Sequence, residues 1–354
     1  MGVNLSALAE FEGVELPQLC GKTVAIDAYN TIYQFLSIIR QPDGSPLCDR
    51  SGRVTSHLSG ILNRTSNLVG QGIEPSFVFD GKPHELKKAT LDGRKERRDK
   101  ATLEWEIAVE EGDMKKAFSK AQQTSRMTPE IKASSKELIG YLGLPMIDAP
   151  SDGEAQAAYM CIKGDVWAAA SQDFDSLLFG APTLVRNMTI TGRRKIPGKD
   201  LYRDVKTEII HSEEFLKKLD ITREQLVDIC LLIGTDFNSG VSGIGPKKGL
   251  KIIKESGDLE HYMERSGIDI PNYQEIRNIF LHSEYTDDYS TTPGEVDRES
   301  IIEMLKGYDF SVERVESTLD KLENSRKAVK AKKSQKSLDS WFSAHFSMCR
   351  VVQY

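Results

Sequence analysis

The longest apolar runs of this 354-residue chain fall far short of the roughly 20 residues a membrane helix needs, so no helical membrane span is expected. The opening stretch, MGVNLSALAEF, lacks a basic segment followed by an apolar one and does not read as a signal peptide. Five cysteines (Cys20, Cys48, Cys161, Cys230 and Cys349) are scattered without any CxxC pair. That argues against a zinc site or a disulfide framework and fits a reducing compartment, the cytoplasm, or the nucleus if the source is eukaryotic. Excess positive charge is also missing: the formal net charge is −6. A nucleic-acid partner requires Lys and Arg, but distribution matters more than the sum. Basic residues concentrate in 82–100, 193–206, 247–254 and 326–336, so total charge neither supports nor excludes such a partner. What is present is ordinary for a globular protein, with 39% hydrophobic and 28% charged residues. The length alone would fit about two domains.

Three segments read as buried strands that end in an acid. Thr23–Ile26 runs into Asp27, and Ser76–Phe79 runs into Asp80. Val166–Ser171 runs into Gln172-Asp173-Phe174-Asp175. Helix-like stretches such as Thr55–Gln71 and Pro129–Leu142 alternate with them. This alternation predicts an α/β fold with a parallel central sheet covered by helices on both faces. Ligands in such sheets gather beyond the carboxyl ends of the strands, so the three acidic sites share the functional edge. Residues 84–128 are highly charged and free of proline, and read as one or two exposed helices with a weak core. Residues 220–262 read as compact helices around a Gly-rich turn, and 283–300 as a polar loop. From about Ser325 the chain is rich in Lys and Ser without apolar periodicity, which predicts a disordered tail.

Two further acidic sites join the strand ends: Ser151-Asp152-Gly153-Glu154 and Gly234-Thr235-Asp236. Seven carboxylates would then converge: Asp27, Asp80, Asp152, Glu154, Asp173, Asp175 and Asp236. Asp173 and Asp175, spaced i, i+2, face the same way on an extended segment. Two carboxylates about 4 Å apart repel by roughly 4 kcal/mol at an effective dielectric near 20, so the cluster needs cations. An all-oxygen donor set without His or Cys favours Mg²⁺ or Mn²⁺ over zinc. Two such ions can activate a water and stabilise the leaving oxygen of an in-line phosphodiester attack. Each acid also has a plainer explanation. An Asp after a strand often forms a turn or caps a helix, and Ser151-x-x-Glu154 matches a capping box. Those explanations must hold independently at five places, and the metal site accounts for all of them at once.

Gly240–Lys248 follows Asp236 closely. Gly243 and Gly245 permit positive φ and close backbone approach, Pro246 suits the first position of a helix, and the exposed amides there favour a phosphate. With Lys247 and Lys248, the segment reads as a sequence-independent clamp on a DNA backbone, although a plain helical connection fits the same residues. Lys82, Lys87, Lys88, Arg94, Lys95, Arg97, Arg98 and Lys100 follow directly after Asp80. A charge run is usually a solvated helix face, but one emerging from an acidic strand end can hold a scissile phosphate.

The segments 24–30, FVFDGKP at 77–83, APSDGEAQAA at 149–158, SQDFDSLLFG at 171–180 and GTDFNSGVSGIGPKKGL at 234–250 together resemble the flap endonucleases, structure-specific 5′ nucleases of the PIN/5′-nuclease-like fold. The resemblance runs in order to about residue 325, and the short basic tail is similar to that of archaeal members. It implies a nuclease domain over 1–325 with a mixed, mostly parallel central sheet flanked by helices, a helical arch at about 84–130 and a helix–two-turn–helix element at about 225–256. It implies removal of 5′ flaps in DNA replication (Okazaki fragment maturation) and repair, with 5′–3′ exonuclease activity, two Mg²⁺ per monomer and a bound K⁺ at the helix–two-turn–helix element. The seven acids match the family's metal ligands and their outer partners. Lys87 and Arg94 match basic residues at the base of the arch that contact the scissile phosphate. Tyr33 matches the aromatic residue that stacks on the nucleotide beside the cut, and Gly2 the processed N-terminus near the active site. Arg40 and Thr55 lie where the family forms its wedge and 3′-flap pocket. One position departs from the pattern: the family usually has Glu where this chain has Asp152, and the side chain one methylene shorter would reach a metal through water. A related 5′ exonuclease, a junction-resolving or repair nuclease, and a DNA-binding scaffold without activity are the alternatives.

Gln335-x-x-Leu338-x-x-Trp341-Phe342, in the tail 326–354, resembles the sliding-clamp-binding motif. Leu338, Trp341 and Phe342 would gather on one side of a helical turn and fill an apolar pocket. The last residues, 343–354, match no pattern.

Overall fold

The computed structural model describes the backbone of residues 2–189, 192–195 and 202–349, and the side chains of 2–189, 205–329 and 331. Nine strands are present among the described residues: β1 (Glu12–Val14), β2 (Thr23–Asp27), β3 (Glu74–Phe79), β4 (Met146–Asp148), β5 (Ala168–Ala170), β6 (Thr183–Arg186), β7 (Gly192–Lys195), β8 (Tyr202–Val205) and β9 (Thr207–His211). Seven form one sheet in the order β1-β9-β6-β5-β2-β3-β4. The five strands from β6 to β4 are parallel, and β9 and β1 add an antiparallel edge. β7 and β8 form a separate antiparallel hairpin. The expected mixed, mostly parallel sheet is therefore what forms.

Side chains alternate across each strand, and both faces are apolar. Val24, Ile26, Phe77, Phe79, Ala168 and Ala170 enter one core with the helices Ala28–Ile38, Pro129–Tyr141 and Arg298–Gly307. Ala25, Val78, Ala169 and Leu184 enter the other, with the helices Gly153–Lys163 and Arg223–Ile233. Burial on both faces explains why the strands read as continuous apolar runs. Polar residues start the flanking helices: Thr128 accepts from the Ile131 amide at 3.3 Å, and Thr222 and Gln225 form a reciprocal capping box.

The stretch predicted as one helix, 55–71, is a rod of three segments, Ser56–Gly60, Ile61–Thr65 and Ser66–Gly70, the middle one a π turn. The charged insertion forms the long helix Lys88–Glu110 and the shorter Met114–Ala121. Their buried positions are alanines (Ala101, Ala108, Ala117 and Ala121), while Leu103 and Ile107 stay exposed, so the core of this arch is thin. Arg40 ties the arch to the body. Its guanidinium donates to the carbonyls of Leu36 and Gly44 at 2.9 and 2.7 Å and to Ser125 Oγ at 2.9 Å.

Two expectations change. The polar stretch 283–300 is irregular only to Asp297, and Gln156 holds it through paired hydrogen bonds with the Thr286 backbone at 2.8 and 2.9 Å. The tail predicted as disordered is helical: Val312–Cys349 is one helix, with Val315, Leu319 and Leu322 in the core. No Gly or Pro follows Gly307, and Lys, Glu, Ala, Gln and Arg all favour helix, so local propensity continues a helix that packing starts. The side chains of Gln335, Leu338, Trp341 and Phe342 lie outside the described residues. Among the described residues no helix is long and apolar enough to cross a membrane.

A Cβ at Gly60 would come within 2.5 Å of Phe35 Cδ2, and Phe35 is fully buried. Alanine gains about 1 kcal/mol in helix propensity, but overpacking costs about 1–3 kcal/mol. Gly60→Ala is therefore expected to lower the melting temperature in a calorimetric scan; an unchanged or higher value would contradict the packing.

Candidate active site

The parallel strands deliver the acids to one edge. Asp27 ends β2, Asp80 follows β3, and Asp173 and Asp175 follow β5. Asp152 and Glu154 begin the helix Gly153–Lys163 after β4, and Asp236 lies in the turn after Arg223–Ile233. Burial, then Asp80 and Asp173, raises Asp27 well above the usual carboxylate range. Burial and then Asp175, Asp27 and Asp173 do the same to Glu154. Asp80 is raised by burial, with Asp152 adding to it. Asp175, buried beside Asp173 and Asp236, is pushed up to about 7. All seven carboxylates thus feel one another.

Backbone and side-chain donors hold them in place. Val3 N donates to Asp175 at 2.8 Å, Gly153 N to Asp80 at 2.7 Å and Ser171 Oγ to Glu154 at 2.8 Å. Asn30 Nδ2 donates to Asp173 at 3.1 Å, and Asn30 N to Asp27 at 3.0 Å. Sequence reasoning missed Val3, Asn30 and Ser171, and only the position of Asn30 three residues after Asp27 hinted at a cap. The capping-box explanation of Glu154 fails. The cap residue is Asp152, which makes no side-chain cap bond, and Glu154 turns to Ser171. For Asp27 the plainer role is real, but it coexists with placement in the cluster.

Two basic residues reach in from the arch. Lys87 Nζ pairs with Asp152 and lies 4.9 Å from the centre of the Phe237 ring. Burial alone would lower the Lys87 ammonium, but Asp152, Asp236 and Asp80 outweigh it and hold it above its ordinary value. Arg94 bonds to Asp236 at 2.5 Å, while its buried Nε has no protein partner. The turn carrying Asp236 is ordered by Asn238, whose Oδ1 accepts from Thr235 Oγ1 at 2.8 Å and whose Nδ2 donates to Leu231 O at 2.7 Å. Among the described residues no group of three or more His, Cys, Asp or Glu is arranged, as it stands, to hold a metal ion. The candidate donors nonetheless suit hard divalent cations: all are carboxylate oxygens, and burial with crowding disfavours the ionised forms of Asp27, Asp80, Glu154 and Asp175, which a counter-charge would relieve.

Gly2 sits against this cluster. A Cβ there would come within 2.5 Å of Asp175 Oδ2 and 2.8 Å of Asp173 Cβ. Tyr33 is half-buried on Ala28–Ile38, and its hydroxyl accepts from Met127 N at 3.4 Å. Gly243 adopts a positive φ of 77° in the turn before Pro246–Ser256, and Gly245 is that helix's cap residue. Lys247 and Lys248 lie in its first turn, exposed, with Lys248 Nζ 3.3 Å from Gly243 O. Thr55 is buried, its amide donating to Leu47 O at 2.7 Å, and the Arg40 guanidinium is taken up by the protein contacts described above.

Residues 1–101 match the family model of the XPG N-terminal domain, and residues 143–236 match that of the XPG I-region. Flap endonuclease 1 of Archaeoglobus fulgidus is 53% identical over 97% of this chain and 100% of its own length. That of Pyrococcus abyssi is 50% identical over 97% of this chain and 98% of its own. The chain belongs to the flap endonuclease family.

The solved flap endonuclease-1 of Methanococcus jannaschii superposes with a TM-score of 0.74 at 39% identity, covering 92% of this chain and 99% of that one. The catalytic core of Rad2, solved with a DNA substrate, shares the fold at 24% identity and a TM-score of 0.66. All seven acids of this flap endonuclease, with Lys87 and Arg94, fall inside the two matched regions.

Because the pKa of Asp175 rises from about 3.9 in an unfolded chain to about 7 in the fold, the folded enzyme binds this proton more tightly. Its ionisation penalty is fully present above about 7 and is relieved as pH falls from there toward the unfolded value. In chelator, the melting temperature of this flap endonuclease should be higher at about pH 6 than at about pH 8, and a divalent cation should narrow the gap. The reverse order would contradict the crowding of the acids.

Proposed function

We propose that this flap endonuclease hydrolyses the phosphodiester at the base of 5′ flaps, using two Mg²⁺ ions for which Mn²⁺ can substitute. The observation that carries the reading is the meeting of the arch's cations, Lys87 and Arg94, with seven carboxylates at one sheet edge. Asp27, Asp80, Asp152, Glu154, Asp173, Asp175 and Asp236 would hold the ions directly or through water. When bound, the ions would activate water and stabilise the leaving oxygen.

The chain's own residues position the DNA. Lys87 and Arg94 would exchange their carboxylate partners for the scissile phosphate once cations neutralise the acids, and the Arg94 Nε offers it a further donor. Tyr33, at the arch base, would stack on the neighbouring nucleotide. Gly2 keeps the N-terminus close without a side chain over Asp175. Gly243, Gly245, Lys247 and Lys248 would grip downstream backbone, with K⁺ in the adjoining turn. Thr55 would border the 3′-flap pocket, and Arg40, braced against Leu36, Gly44 and Ser125, would lie at the wedge. The nuclease body ends near residue 325, and the tail around Gln335, Leu338, Trp341 and Phe342 would dock on a sliding clamp. A monomer working in replication and repair, with accompanying 5′–3′ exonuclease activity, follows from this reading.

With Mg²⁺ the enzyme should cut a double-flap substrate near the 5′ junction, and Asp173→Ala should abolish cleavage while flap binding persists. Activity of the variant within about tenfold of the unsubstituted chain would reject the metal assignment, since losing a ligand costs far more than an outer contact. Comparable cutting of plain single strands would reject flap specificity. A chain truncated before Gln335 should keep its nuclease activity and lose stimulation by the clamp; unchanged stimulation in the same assay would remove the docking role.

A further inference from the structure

Asn30 contacts two of the acids from different strands. Its backbone amide donates to Asp27 at 3.0 Å and its side-chain Nδ2 to Asp173 at 3.1 Å. Behind it runs a polar chain. Gln34 Nε2 donates to Asn30 Oδ1 at 3.1 Å, and Thr189 Oγ1 donates to Gln34 Oε1 at 3.0 Å. Carboxylates only accept, so the direction of this chain is set from the Asp173 end. Asn30 must present its NH₂ to Asp173 and its oxygen to Gln34, which must then present its own oxygen to the Thr189 hydroxyl. Flipping either amide would set acceptor against acceptor. A cavity of about 10 Å³, lined by Asn30, Gln34, Ser171, Gln172 and Thr189, lies alongside. It is at the limit for one water, so solvent has little room to replace a lost link.

We infer that Asn30 is a positioning residue that sets the Asp27 and Asp173 carboxylates relative to each other, with Gln34 and Thr189 locking its amide. The inference rests on the reading of Asp173 as a metal ligand. A hydrogen-bonded partner one layer out fixes the orientation of a ligating carboxylate, and removing it weakens metal binding without touching the metal. A merely structural Asn30 would affect stability and leave metal affinity alone.

The test uses the full chain with the substitutions Asn30→Leu, Thr189→Val and, as a control, Asp173→Ala. Leucine keeps the size of Asn30 and its place in the helix, and valine keeps the shape of Thr189. Mn²⁺ binding is read from the electron paramagnetic resonance signal of the free ion, without DNA. Flap cleavage is read as kcat and KM across a Mg²⁺ titration, and melting temperature reports the fold. Asn30→Leu is expected to lose about 10- to 100-fold in Mn²⁺ affinity, with a matching loss of kcat at fixed Mg²⁺ and flap KM nearly unchanged. Thr189→Val should shift the same readouts in the same direction by less. If both variants bind Mn²⁺ within about twofold of the unsubstituted chain while Asp173→Ala loses it, the positioning role is overturned and the metal site stands. If Asp173→Ala also leaves Mn²⁺ binding unchanged, the metal reading itself falls. Should Asn30→Leu fail to fold, Thr189→Val decides alone, and unaltered Mn²⁺ binding there overturns the inference.

Discussion

Mutual repulsion among buried carboxylates is the constraint on which the rest of the structure depends. A parallel sheet sends every strand's carboxyl end to the same edge, so acids placed after β2, β3 and β5 are brought together by topology rather than by local preference. At an effective dielectric near 20, each pair at about 4 Å costs roughly 4 kcal/mol if both members ionise. Burial and acidic neighbours disfavour the ionised forms of Asp27, Glu154 and Asp175, and cationic side chains are recruited from the arch. Divalent cations would supply the same counter-charge.

This accounts for the arch's contrast with the rest of the molecule. Its helices share only a thin seam of alanines, and their hold on the body runs through a few polar contacts such as Arg40 to Ser125. The end nearest the sheet is fixed more firmly, because Lys87 pairs with Asp152 and Arg94 with Asp236. An element anchored by electrostatics at its base and loosely packed beyond it can accept a strand of DNA without disturbing the core. Holding Glu154 steady then falls to the helix Gly153–Lys163, and the polar segment after Leu281 braces that helix. Gln156 bonds twice to Thr286, and Tyr159 stacks on Tyr285 with ring centres 3.7 Å apart.

Strands β2, β3 and β5, the sheet class and the acids Asp27, Asp80, Asp173 and Asp175 were legible because their signals are local: an apolar run, then an acid, repeated. The basic residues were visible as composition, but which two enter the site was carried by the family resemblance, since the charge run 82–100 has no pattern that singles out Lys87 and Arg94. Asn30, Ser171 and Val3 were hidden for another reason. Their roles depend on contacts 143, 17 and 172 residues apart in sequence, which no local spacing encodes. Arg40 was placed by the resemblance where the family forms its wedge, and its hydrogen bonds to Gly44 and Ser125 are contacts that the sequence reading did not foresee. The tail misled by composition: Lys and Ser without apolar periodicity predict disorder, but the same residues, free of Gly and Pro, extend a helix already nucleated by Leu319 and Leu322.

Asp152, where this chain departs from its family's usual Glu, fits the same electrostatic logic. Its shorter carboxylate begins a helix without bonding to the helix's own amides and is held by Lys87, while Gly153 N is given to Asp80. The position therefore serves two partners through adjacent residues, a cation from the arch at 152 and a strand-end acid at 153. A longer side chain would reach further toward the ions, but here the reach is directed at Lys87. On the proposed metal reading, the substitution would shift Asp152 from holding an ion directly toward holding Lys87, and Glu154 and Asp175 would carry the inner ligation.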